Sequence, residues 1–156
     1  MSKLQTQTLS ILKYLIGNGI NPILYGSQGV SLYLGNFKKF NDLDLLVDDR
    51  YLGNDWHLLV ETMQNYGFSL VDIHEHEFTN ENKFKVAFAG EQILIRDGIV
   101  ESIKDVRIVK VDNVEVRTLK VEAFIKAYEF SKRDGYRKEV RGKNDTEIIS
   151  KLKNIL

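Results

Sequence analysis

Apolar positions repeat with two periods along this chain, and the alternation between them outlines the elements. Leu4, Ile11, Leu12, Leu15 and Ile16, with Thr8 on the same stripe, follow helical spacing and predict an amphipathic helix over 3–16. Gly17-Asn18-Gly19 ends it with residues that tolerate a left-handed cap, and Asn21-Pro22 bars any continuation. An apolar run, Ile23-Leu24-Tyr25, then predicts a strand, Gly26-Ser27 a tight turn, and residues 28–34 a short helix. Asp42-Leu43-Asp44-Leu45 alternates as a second strand reaching Val47. Trp56, Leu59, Val60, Met63 and Tyr66 share one face of a helix capped by Asn54 and stopped at Gly67. Residues 68–78 read as a strand, 84–88 as its hairpin partner across a polar turn, and 92–95 as a further short strand broken by Asp97-Gly98. A second hairpin joins 106–111 to 114–117 through Asp112-Asn113. From Thr118 onward the pattern is helical: Val121, Phe124, Ile125 and Tyr128 form one stripe, and Asp134-Gly135 interrupts it. A last helix over 145–155 has Asn144 and Glu147 in capping-box spacing.

This order of helices and strands, then hairpins, then helices predicts an α/β (α+β) fold with a mixed sheet flanked by helices. At 156 residues the chain fits one compact unit, a core over 1–118 with the helices of 119–156 packed on it. Lys plus Arg and Asp plus Glu each total 22, so net charge points to neither nucleic acid nor a membrane surface. The absence of cysteine excludes disulfides, thiolate zinc sites and a cysteine nucleophile, and fits a reducing, cytoplasmic setting. No apolar run is long enough to span a bilayer, and the polar start does not read as a signal peptide.

Chemistry concentrates between Leu24 and Asp49. Gly26 permits a turn that side chains resist, and the free N–H groups of the helix after it favour a phosphate beside Ser27. On a strand, Asp42 and Asp44 share one face while Leu43 and Leu45 point into the protein. Two carboxylates so placed repel unless a cation lies between them, and hard oxygen ligands beside a phosphate site suit Mg²⁺. The stretch therefore reads as a metal–triphosphate site. Lys38 and Lys39, in the loop between the two halves, are either solvated or turned toward the phosphates.

Gly26-Ser27, a helix, then Asp42-x-Asp44 on the following strand resembles the signature of the polymerase-beta-type nucleotidyltransferase superfamily, in particular its small bacterial antibiotic-modifying and abortive-infection-type toxin members. The resemblance is carried by residues 20–47 and is fainter through the C-terminal helices. It implies a nucleotidyltransferase-like mixed sheet with a short C-terminal helical extension. It also implies Mg²⁺-dependent transfer of NMP from a nucleoside triphosphate to a hydroxyl of a small molecule, a tRNA end or a protein. Asp42 and Asp44 would hold the metal, and Gly26 and Ser27 the phosphates. A third carboxylate, usually set between apolar residues on a neighbouring strand, would complete the site. By order that strand is 92–95, which carries no carboxylate. Asp72, in Val71-Asp72-Ile73, has the right local texture and is the expected third acid, with Glu75 and Asp97 as substitutes. Lys126, Arg141 and Lys143, the last two ahead of Asp145, resemble the cations that such enzymes bring to the triphosphate, although Asn144 interrupts the match.

Two other readings compete with this one. The missing third acid favours a nucleotide-binding or regulatory protein of the same fold with weak or no turnover. On a continuous strand, Asp72, His74 and His76 would share a face and form a zinc or iron set, or else a solubilised strand edge. Neither base, acceptor nor oligomeric state is legible in the sequence.

Overall fold

A computed structural model describes residues 3–35 and 39–133, the backbone of 135–144, and residues 145–156. Its elements are α1 (Thr6–Gly17), β1 (Ile23–Tyr25), α2 (Gly26–Leu34), β2 (Asp42–Val47), a 3-10 turn (Asp49–Leu52), α3 (Trp56–Asn65), β3 (Ser69–Asp72), β4 (Glu77–Thr79), β5 (Lys85–Gly90), α4 (Ile93–Arg96), β6 (Arg107–Val111), β7 (Val114–Thr118), α5 (Val121–Arg133) and α6 (Gly135–Asn154). The strands form one mixed sheet of seven in the order β3-β4-β5-β2-β1-β7-β6. β2 lies at its centre, antiparallel to β1 and parallel to β5.

The period-two pattern of the strands divides the core between the two faces of the sheet. Leu24, Leu43, Leu45, Val47, Val86, Phe88 and Phe78 are buried on one face with residues of α1 and α3. Ile23 and Leu46 are buried on the other with Val30 of α2, Leu94 of α4, Phe124 of α5 and Leu152 of α6. Asp42 and Asp44 lie on this second face, ahead of Leu46, where the strand leaves the core and becomes exposed.

Local chemistry explains most of the agreement with the sequence. Asp112 and Asn113 both adopt positive φ, 48° and 69°, the geometry of a two-residue hairpin whose twist matches its strands. Four expectations are overturned. Asn54 does not cap α3, which starts at Trp56 with Asp55 at the cap position, because residues 53–55 form a turn ahead of it. Residues 92–95 are not a strand: after Gly90 the chain leaves the sheet, and Ile93–Arg96 form a helical turn that buries Leu94. The neighbour of β2 is instead β5. The stretch 68–78 is not one strand but a β3–β4 hairpin, with residues 73–76 as its turn. The final helix does not start near Asp145, for α6 is already helical from Gly135. Asn144 is thus inside a helix rather than at a cap, and Asp145 is buried in mid-helix with no hydrogen bond to either carboxylate oxygen among the described residues. Among the described residues no helix is long and apolar enough to cross a membrane.

Candidate active site

The turn from β1 into α2 is built for close approach. Gly26 sits at φ 62°, a left-handed conformation that L side chains resist. A Cβ on Gly26 would stand 2.5 Å from Asp44 Oδ2 and 3.2 Å from Asp44 Cβ, so the carboxylate occupies the space that a side chain there would need. Tyr25, just before the turn, is the register partner of Asp44 across the β1–β2 pair. Ser27 follows, exposed in the first turn of α2, and the side chain of Tyr25 at the N-cap position makes no capping hydrogen bond to that helix. The first-turn N–H groups of α2 and the Asp44 carboxylate thus meet at one point of the surface.

Two glutamine amides and the Thr8 hydroxyl hold β2 in register with this turn. Gln28 is buried, accepts a 2.7 Å hydrogen bond from Thr8 Oγ1, and donates from Nε2 to the carbonyl of Asp42 at 2.7 Å. Gln5, just ahead of α1, donates to the carbonyl of Phe40 at 3.0 Å and accepts from its N–H at 2.9 Å. Helix α1 thereby fixes the chain on its way into Asp42. Neither glutamine stands out in the pattern of the sequence, and Thr8 falls on the apolar stripe of α1. The signal was present in the helical spacing of Gln28 and Leu32, which puts the amide on the inward face of α2.

A cleft of about 330 Å³ opens over this point, with Tyr25, Gly26, Asp44, Ala87, Ala89, Ile93 and Glu75 on the sheet side. Its opposite wall is α5, through Ala127, Tyr128, Phe130 and Ser131. Helix α5 is seated there by Phe124, whose ring stacks on Tyr25 at 6.3 Å and meets Tyr33 edge-on at 6.1 Å. Gly29 makes the seat possible, since a Cβ at that position would lie 2.6 Å from Phe124 Cζ.

The expected third acid lies elsewhere. β3 is separated from β2 by β4 and β5, so Asp72 is not on a strand adjacent to the Asp42–Asp44 pair. Its carboxylate turns back on its own chain, accepting from the N–H groups of His74 (2.9 Å) and Glu75 (3.1 Å). Opposite Asp44 on β5 stands Ala87, with Lys85 opposite Asp42. Asp97 caps α4 and pairs with Arg96 at 3.3 Å. Of the acids considered, Glu75 lines the cleft with Asp44. Histidines 74 and 76 sit in the hairpin turn and not along a strand, and among the described residues no group of three or more His, Asp or Glu gathers as a metal cluster. Lys126 is exposed on α5 and is not among the described residues that line the cleft. Lys38 and the side chains of Arg141 and Lys143 lie outside the described residues.

In its fold the chain is similar to solved nucleotidyltransferases. The chain superposes over its full length on the whole of a lincosamide antibiotic adenylyltransferase, LnuA, solved with lincomycin bound (TM-score 0.68, 16% identity). Over 95% of its length it matches 86% of the antibiotic-resistance factor ANT(2'')-Ia (TM-score 0.63, 13% identity). Over 97% it matches 77% of a nucleotidyltransferase-like protein from Paracoccidioides brasiliensis (TM-score 0.64, 13% identity). In sequence, 146 residues, 88% of the chain, are 29% identical to 86% of the uncharacterised protein YnaI of Bacillus subtilis (strain 168). No protein-family model matches.

Proposed function

We propose that the chain is a Mg²⁺-dependent nucleotidyltransferase that moves NMP from a nucleoside triphosphate to a hydroxyl of a small molecule. The observation that carries this reading is the Asp44 carboxylate held against Gly26 at the start of α2, with Asp42 on the same exposed face. A pair of carboxylates on one face suits Mg²⁺, which takes one or two carboxylates and fills its shell with water and substrate phosphates. Asp42 and Asp44 would hold it, and when bound it would neutralise charge on the triphosphate and its leaving group. Gly26 admits phosphate close to the backbone, the first turn of α2 offers N–H donors, and Ser27 adds a hydroxyl. The small-molecule acceptor is supported by the cleft beside Asp44, walled by both apolar and polar side chains, and by the antibiotic acceptors of the structural neighbours.

A second reading keeps the nucleotide site without turnover, and Ala87, at the point of β5 opposite Asp44, favours it. One experiment separates the two. Each α-labelled NTP is incubated with Mg²⁺, the protein and a panel of hydroxyl-bearing antibiotics, and binding is followed by calorimetry in parallel. Labelled acceptor establishes the transferase, binding without product supports the second reading, and neither result sinks both.

A further inference from the structure

We propose that Glu75 takes the proton of the acceptor hydroxyl and that Asp72 is the positioning residue that holds it over the cleft. The assignment rests on the nucleotidyltransferase reading above and supplies the base that β5 lacks. In register, Asp44 on β2 faces Ala87 on β5, and Ala87 faces Glu77 on β4, so the three side chains share one face of the sheet. The middle of that row is a methyl group. A longer side chain from the far side can therefore extend over Ala87 toward Asp44, and Glu75, in the turn before β4, is the acid that lines the cleft there.

The turn carrying Glu75 is held at several points. Asp72 binds the N–H groups of His74 and of Glu75 itself through one carboxylate oxygen. His76 adopts φ 50°, its carbonyl accepts from Phe88 N–H at 3.1 Å, and its ring meets Trp56 edge-on at 5.1 Å. Glu75 thus projects from a short segment fixed on both sides, which is what a base needs if it is to meet a hydroxyl at a defined place. In the step itself, the acceptor oxygen forms a bond to the α-phosphorus and its proton passes to a Glu75 carboxylate oxygen. The bond from the α-phosphorus to the bridging oxygen breaks, and pyrophosphate departs with the electron pair. Glu75 then returns the proton to solvent.

The test uses the full chain, with Mg²⁺ and each labelled NTP as probes. It measures pyrophosphate release with water and with the hydroxyl panel as acceptors, and nucleotide affinity by calorimetry. Glu75→Gln is expected to lower the turnover rate by roughly 10²–10⁴-fold with nucleotide affinity held within about threefold. Asp72→Asn should keep most of the rate, because its amide oxygen accepts the same backbone bonds, whereas Asp72→Ala should lose about tenfold or more. Turnover unchanged in Glu75→Gln, lost in Glu77→Gln instead, or lost as fully in Asp72→Asn as in Glu75→Gln overturns the assignment and leaves the transferase intact. Nucleotide binding without turnover in the unmodified chain overturns the assignment and leaves only the binding site. Absence of binding overturns the nucleotidyltransferase reading with it.

Discussion

Gly26 and Asp44 occupy one another's space: the hydrogen on the glycine Cα is all that fits beneath the Asp44 carboxylate. The left-handed φ of Gly26 adds a second, independent demand for glycine. Any substitution there should both strain the turn and displace the acid. Gly26→Val is expected to abolish nucleotide binding and to lower stability by about 1–3 kcal/mol. Ser27→Ala should cost only one hydroxyl contact, about 0.5–1.5 kcal/mol of binding. A calorimetric titration in which Ser27→Ala binds far worse than Gly26→Val would refute the backbone cradle.

Asp42→Ala and Asp44→Ala should each remove Mg²⁺-dependent nucleotide binding while leaving the fold in place, since both side chains are exposed. Circular dichroism and calorimetry on the same samples check the two halves of this expectation. Binding retained in both variants would remove the basis of the functional reading.

Gln28→Ala deprives Thr8 of its acceptor and the Asp42 carbonyl of its donor in a buried setting, at about 1–3 kcal/mol per orphaned partner. For a chain of this size each kcal/mol corresponds to about 2–4 °C of Tm. A melting curve indistinguishable from that of the unmodified chain would show that the amide does not hold β2.

Glu91 supplies a pH dependence remote from the cleft. Burial pushes its carboxyl above the usual range, Arg117 at 3.8 Å partly offsets this, and Asp48 and Asp49 add to the rise. The folded state therefore holds this proton more tightly than the unfolded chain does. Stability from this group is fully present below the unfolded value and is lost as pH rises through the folded one. Glu91→Gln should accordingly be more stable than the unmodified chain at neutral pH, with the advantage shrinking on acidification toward pH 4.5. Melting temperatures across that window check the sign. An advantage that grows toward acid would contradict it.

What could be read from the sequence was local. The alternation in Asp42-Leu43-Asp44-Leu45, the glycine turn and the Asp112-Asn113 hairpin each depend on residues within a few positions of one another, and all three are present. The neighbour of β2 was not legible, because residues 92–95 have strand texture and leave the sheet for tertiary reasons. A Cβ on Gly90 would lie 2.5 Å from Asp49 Oδ1, the N–H of Glu91 binds the Val47 carbonyl, and the N–H of Gln92 binds Asp49 Oδ1. These contacts turn the chain aside before Ile93. Asp72 misled for a related reason: its apolar neighbours fit a strand, but a carboxylate can accept from its own backbone two and three residues on, and periodicity does not register that option.

The cleft draws its two walls from opposite ends of the chain. The paired aspartates and the glycine turn come from β1, α2 and β2, while Ala127, Tyr128, Phe130 and Ser131 come from α5, joined to them through Phe124 on Gly29. Substitutions along the exposed side of one helix can therefore reshape what enters the cleft without moving an atom of the aspartate strand. If the cleft takes the acceptor as proposed, its preference can change along α5 while the aspartate strand and the glycine turn stay as they are.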